Sequence, residues 1–223
     1  MTISTHKLYA NQNTQLERSL QQISQEVLRM GTLVEQSFRL SHQALFAQDV
    51  SAIEQINILE KQIDRYYKQI ELDCAKIITL QRPVAQDLRL LSAFMHLVRD
   101  LERIGDYAQD LAELGIKLFP YPPHSALPVV EEMSQNAQGM LATSLVALAE
   151  LDADAGRQVK EMDDAVDDAY DYLYKTFAEA RDIQGVIEPI LLLVLAIRHL
   201  ERMADHATNI GQRVAYIVTG KRG

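Results

Sequence analysis

One cysteine, no tryptophan, six prolines and nine glycines among 223 residues are the scarcities that bound this chain. Cys74 alone permits no intrachain disulfide and no cysteine-built metal site, which suits a reducing compartment, and it reads as a small buried hydrophobe. Long apolar runs are missing as well. The most apolar stretch, Ile190 to Ile197, covers about half a membrane span before Arg198 closes it, so it reads as a core helix with no direct membrane insertion. The N-terminal MTISTHKLYANQNTQ has neither the apolar region nor the cleavage site of a signal peptide, and a cytoplasmic location is expected. Positive charge is short too: 22 Lys and Arg face 31 Asp and Glu, a formal net charge of -9. That balance excludes a general affinity for nucleic acid or anionic lipid and favours cations or basic partners.

Strand-type alternation is also absent, whereas apolar residues recur at helical spacing through most of the chain. The expected fold is all-α. A first helix, capped by Asn13 or Thr14 and running to about Gln48, carries Leu20, Ile23, Val27, Met30, Val34, Phe38, Ser41 and Leu45 on one stripe. A second, from about Ser51 to Leu80, turns Ile53, Ile56, Leu59, Ile63, Tyr66, Tyr67 and Ile70 inward. A third is expected to begin with Pro83 in its first position and end near Leu118. Four of the six prolines then fall in FPYPPHSALP, residues 119–128, which cannot continue a helix and reads as a linker.

The same three-part pattern returns after the linker, with helices expected from about Val129 to Glu150, Ala153 to Ala180 and Glu188 to Val218. At an offset of 103, Val27 matches Val130, Met30 matches Met133, Ser41 matches Ser144, Leu45 matches Leu148 and Asp49 matches Asp152. At the last helix the offset falls to 99. Six helices in two tandem, pseudo-symmetric three-helix bundles, residues 1–118 and 129–223, account for the helix lengths and short loops.

The repeat carries chemistry at RDLERIGDYA from Arg99 and RHLERMADHA from Arg198. Each copy places a Glu and an Asp four residues apart on one helix flank: Glu102 with Asp106, and Glu201 with Asp205. Like charges at this spacing repel by a few tenths of a kcal/mol, so a cation is expected beside them. The second helices carry matching pairs, Glu60 with Asp64 and Asp163 with Asp167. Around Leu101, Glu102 and Asp106 lie at about 100 and 140 degrees, and around Ile63, Glu60 and Asp64 lie at about 60 and 100 degrees. Every pair thus sits at the edge of an apolar face, and two adjacent edges could assemble four carboxylates in a shallow site on each bundle. Oxygen-only donors of this kind suit hard cations such as Mg, Ca, Mn or iron. Asp110, its counterpart Asn209, and His206 are secondary candidates, whereas Asp100 and His199 face elsewhere. Solvated carboxylates paired with Arg99, Arg103, Arg198 and Arg202 are the competing reading, and the fourfold recurrence at one place relative to the core argues against it.

These motifs, with QRPVAQDLR from Gln81 and LERMADHATNIGQRVAYIVTG from Leu200, resemble the PhoU family, bacterial regulators of phosphate uptake, over nearly the whole chain. The resemblance implies two three-helix bundles, each holding a multinuclear iron or zinc cluster on its acidic motifs. The ligands it implies are Glu60, Asp64, Glu102 and Asp106 in one half, and Asp163, Asp167, Glu201 and Asp205 in the other. It also implies a non-enzymatic adaptor that represses phosphate-starvation signalling, with the ATPase of the phosphate ABC transporter and a sensor histidine kinase as partners. A di-iron carboxylate enzyme is the alternative, but its Glu-x-x-His signature is absent, since none of the six histidines has a Glu three residues before it. His199 is the only residue suggesting a phosphotransfer module, and its counterpart is Asp100. Tyr66, Tyr67, Tyr170, Tyr172 and Tyr174 would serve a homodimer interface or simply pack in the bundles.

Overall fold

The computed structural model describes residues 3–179 and 185–221. Six helices follow in order: α1 Ile3–Phe46, α2 Ser51–Gln81, α3 Ala85–Leu118, α4 Leu127–Glu150, α5 Ala153–Ala178 and α6 Glu188–Thr219. No strand occurs among the described residues.

The expected stripe on α1 is the observed one: Ile23, Val27, Met30, Val34, Phe38, Ser41 and Leu45 are all buried. Its start differs from expectation. α1 begins at Ile3, so neither Asn13 nor Thr14 caps it; no glycine or proline interrupts the chain before Gly31, and nothing stops the helix there. The third helix also starts later than expected. Arg82 ends α2 in the left-handed conformation (φ 49°, ψ 55°) and Val84 is extended, which leaves Pro83 in the turn and not in α3. Pro128 and Pro189 do sit in the first turns of α4 and α6, where the missing N–H costs nothing. Asp152 caps α5, its Oδ1 accepting from the backbone N–H groups of Asp154 at 2.8 Å and Ala155 at 3.1 Å. Its counterpart Asp49 accepts from the Ser51 N–H at 2.9 Å, and the buried hydroxyls of Ser41 and Ser144 donate to the Phe38 and Leu141 carbonyls at 2.7 and 2.8 Å. The duplication therefore extends to individual hydrogen bonds.

α1, α2 and α3 pack as one bundle and α4, α5 and α6 as the other. The halves meet mainly along α3 and α6, with α1 and α4 adding a smaller contact, whereas α2 and α5 do not touch. α2 and α5 are thus the outer helices, and the α2–α3 and α5–α6 edges that carry the acidic pairs lie one on each half. In the second half α5 and α6 approach so closely at Gly156 and Gly211 that a Cβ on Gly156 would come within 2.6 Å of the Gly211 carbonyl oxygen.

Candidate functional site

In the first half, Glu60 and Asp64 project from α2 while Glu102 and Asp106 project from α3, and all four are half-buried. Burial raises the Glu102 pKa first, then the charge of Asp106, with Asp64 adding to it from the other helix. Burial likewise raises Asp106, reinforced by Asp110 and by Asp64 and opposed by Arg103. Asp64 acts on both residues of α3, so the two pairs form one electrostatic unit. Its counter-charge is local: Lys68 donates to Asp64 at 2.6 Å, and the fields of Glu60 and Glu102 reach the same ammonium. On α3, Arg103 donates to Asp106 at 3.0 Å.

The second half repeats the arrangement with one carboxylate sunk deeper: Asp163 is buried and Glu201 and Asp205 are half-buried, whereas Asp167 is exposed. Asp163 is 2 % exposed; its Oδ2 accepts from Lys160 at 2.7 Å, and its Oδ1 is buried without any partner. Burial and Asp163 raise the pKa of Asp167, with Asp205 contributing from α6; burial and Asp205 raise Glu201, with Asp167 contributing from α5. Arg198 donates to Glu201 at 2.7 Å and Arg202 to Asp205 at 2.8 Å. The two lysines are not repeat counterparts, since Asn57 matches Lys160 and Asp171 matches Lys68. The ammonium is therefore not part of the repeat: Lys68 lies four residues after Asp64, and Lys160 three before Asp163.

As the side chains stand, no three His, Cys, Asp or Glu groups among the described residues converge on a point that could hold a metal ion. Each site is a set of carboxylates splayed onto basic neighbours. The donor set nevertheless fits a hard cation: it is all oxygen, it is mutually repulsive, and the orphaned Asp163 oxygen is an acceptor lacking a donor.

The secondary candidates are placed apart. Asp110 is exposed one turn beyond Asp106, within reach of it only through its field. His206 and Asn209 turn to the α3–α6 seam, where the Asp100 carboxylate pairs with His206 Nδ1 at 2.8 Å and accepts from Asn209 at 3.4 Å. The reason is geometric: both project from α6 toward α3, not toward α5. The pseudo-symmetric counterpart of this contact sets His199 against Tyr107, ring centroids 5.3 Å apart, with Asp110 acting on it by charge. Tyr107 also accepts from Arg103 at 3.1 Å; burial would raise its phenol, but hydrogen bonds from Arg103 and Arg202 prevail and lower its pKa. Spacing along a helix identified none of these cross-seam bonds. Replacing Asp100 by Ala leaves both His206 ring nitrogens without a partner in a buried setting, since Nε2 already has none. A loss of about 1–3 kcal/mol is expected in urea denaturation, with Asp100→Asn retaining part of it. An unchanged midpoint would show that the bond contributes nothing.

The family model described as the PhoU domain matches this chain twice, over residues 27–115 and 130–214, once on each side of the proline-rich segment. The chain belongs to the PhoU family. Among its PhoU relatives, the phosphate-specific transport system accessory protein PhoU homolog of a Synechocystis strain is 65% identical over 206 residues, 92% of either chain. The crystal structure of PhoU from Pseudomonas aeruginosa superposes with a TM-score of 0.84 at 32% identity, covering 92% of this chain and 99% of that one. That of the phosphate transport system regulatory protein PhoU from Streptococcus pneumoniae gives 0.85 at 28% identity, over 93% and 99%. The paired-bundle architecture is thus a PhoU architecture. Among the described residues no helix is long and apolar enough to cross a membrane.

Proposed function

We propose that this chain is a cytoplasmic, metal-binding adaptor that represses phosphate uptake and phosphate-starvation signalling by contacting the phosphate ABC transporter, through its ATPase, and a sensor histidine kinase. The observation that carries the regulatory part is the near full-length match to a relative named as a phosphate-specific transport system accessory protein. The orphaned, buried Oδ1 of Asp163 inside a set of like charges carries the metal part.

Glu60, Asp64, Glu102 and Asp106 would hold metal in one half, and Asp163, Asp167, Glu201 and Asp205 in the other. Bridging carboxylates supply the chemistry for more than one ion per site. With His206 engaged by Asp100, the donors are all carboxylate, which favours iron, Mg, Mn or Ca over zinc. The edge position of the sites supports an interaction surface over catalysis, because a di-iron oxidase encloses its ligands in the bundle core.

Deleting the gene in its native host should leave phosphate-starvation genes expressed at high phosphate. The wild-type gene is expected to restore repression, and the Glu102→Ala, Glu201→Ala double variant to restore it poorly. Undiminished repression in the deletion strain would refute the regulatory role, whereas full rescue by the double variant would refute only the metal's part in it.

A further inference from the structure

Between the halves, where α3 crosses α6, the surface sinks into a depression of about 370 Å³ that none of the eight carboxylates lines. Arg99 and Arg103 from α3 and Arg202 and Arg213 from α6 converge on it, with His96 and a single acid, Asp100. A concentration of arginines in a chain of net charge -9 runs against its composition. The pairing pattern leaves donors to spare. Arg103 and Arg202 spend part of their guanidinium forks on Asp106 and Asp205, each fork having five N–H groups, while Arg99 and Arg213 make no hydrogen bond or ion pair among the described residues. The one acid is already tied to His206 and Asn209.

The repeat supplies an internal control for this cluster. Arg99 and Arg103 have arginine counterparts in Arg198 and Arg202, but His96 and Arg213 match Leu195 and Leu114. The leucine at the first of these positions is 49% exposed, so an apolar residue is tolerated at a solvent-facing site where α3 has placed a histidine. Basic character at this end of the seam was therefore added beyond what the duplication supplied. Planar guanidinium forks arriving from two helices match the oxygens of a tetrahedral dianion better than they match a lone carboxylate.

We propose that this arginine-lined depression binds a phosphate-type oxyanion, either free orthophosphate or the phosphoryl group of a nucleotide. The site stands on these residues and not on the regulatory role above, so either can fail without the other. The test uses the full-length protein stripped with EDTA, which removes metal-bound phosphate as a competing explanation. Isothermal titration with orthophosphate and, separately, with ATP is run at constant ionic strength. Saturable binding is expected for wild type. His96→Leu with Arg213→Leu, side chains that α6 and α3 already carry at the matching positions, should weaken it at least roughly tenfold. Asp100→Asn should strengthen it by removing the opposing charge. Orthophosphate binding at least as tightly as ATP identifies the free anion as the ligand, and ATP binding tenfold tighter identifies the nucleotide-borne group. No saturable heat with either ligand, or wild-type affinity in the His96→Leu, Arg213→Leu protein with an unchanged melting midpoint, would overturn the proposal.

Discussion

Chelating bound metal from the protein is expected to lower its melting midpoint by roughly 10–20 °C at pH 7. Free metal at about 100 times its dissociation constant stabilises a single site by about 2.7 kcal/mol, and the proposed reading gives two sites. For a chain of this size each kcal/mol corresponds to about 2–4 °C. The metal-free state is where the carboxylates count against the fold. Glu102 and Glu201 both have raised pKa values through burial and through Asp106 and Asp205. A carboxyl whose folded pKa is raised favours the native state in its protonated form, and that advantage is lost as pH climbs through the raised value. In chelator at pH 7, Glu102→Gln with Glu201→Gln should therefore melt above wild type, and the two should converge as pH falls toward about 4, the ordinary glutamate value. With metal present the order should invert, because the variant lacks one proposed ligand at each site. Equal shifts on chelation in both proteins, or no metal on the wild type, would sink the cluster reading.

That experiment exposes what spacing could and could not convey. The acidic edges were readable because the chain states them four times: Glu60 with Asp64 and Asp163 with Asp167 keep the offset of 103, and the α3 and α6 pairs keep 99. Helical faces follow the same logic, and Ile56, Leu59, Ile63 and Ile70 are buried as their period demands. Repulsion within a pair also pointed to a cation. Spacing did not say that, without metal, Lys68 and Lys160 would fill this role, since neither is shared between the repeats and a lysine's reach is set by rotamers. Nor could it assign His206 to Asp100. The two are 106 residues apart and meet only because α3 crosses α6 at that level. Helix starts were blurred where capping preferences compete with a stretch free of glycine and proline, as before Gly31, or where a turn keeps its proline, as at Pro83.

The contact between Gly156 and Gly211 links stability to the site most directly. A Cβ on Gly211 would press on the Gly156 carbonyl oxygen and come within 3.2 Å of the Val159 Cβ; one on Gly156 would meet the Gly211 oxygen at 2.6 Å. The two carbonyl oxygens are backbone atoms and a Cβ is fixed to the backbone, so no rotamer can relieve the overlap. Gly211→Ala should cost about 2 kcal/mol, an overpacking penalty of about 3 less the roughly 1 kcal/mol that alanine gains over glycine in a helix. Gly211→Val, which drives an isopropyl group between the helices, should cost about 4 kcal/mol or roughly 8–16 °C in melting midpoint. One separation of α5 from α6 relieves both positions, so Gly156→Ala added to Gly211→Ala should cost little more than either alone. Gly105 in the first half provides the contrast. It faces only the side chain of Ile63, 3.2 Å from where a Cβ would sit, and its counterpart is Ala204, so Gly105→Ala should be neutral or stabilising. The functional consequence follows from position: Asp163 lies two turns along α5 from Gly156, and Asp205 under two turns along α6 from Gly211. Pulling those helices apart should roughly halve the bound metal in Gly211→Ala while leaving the Glu60, Asp64, Glu102 and Asp106 site loaded. Full metal content with a lowered midpoint would mean that the second site does not depend on the close approach, and an unchanged midpoint would mean that the approach itself is not enforced.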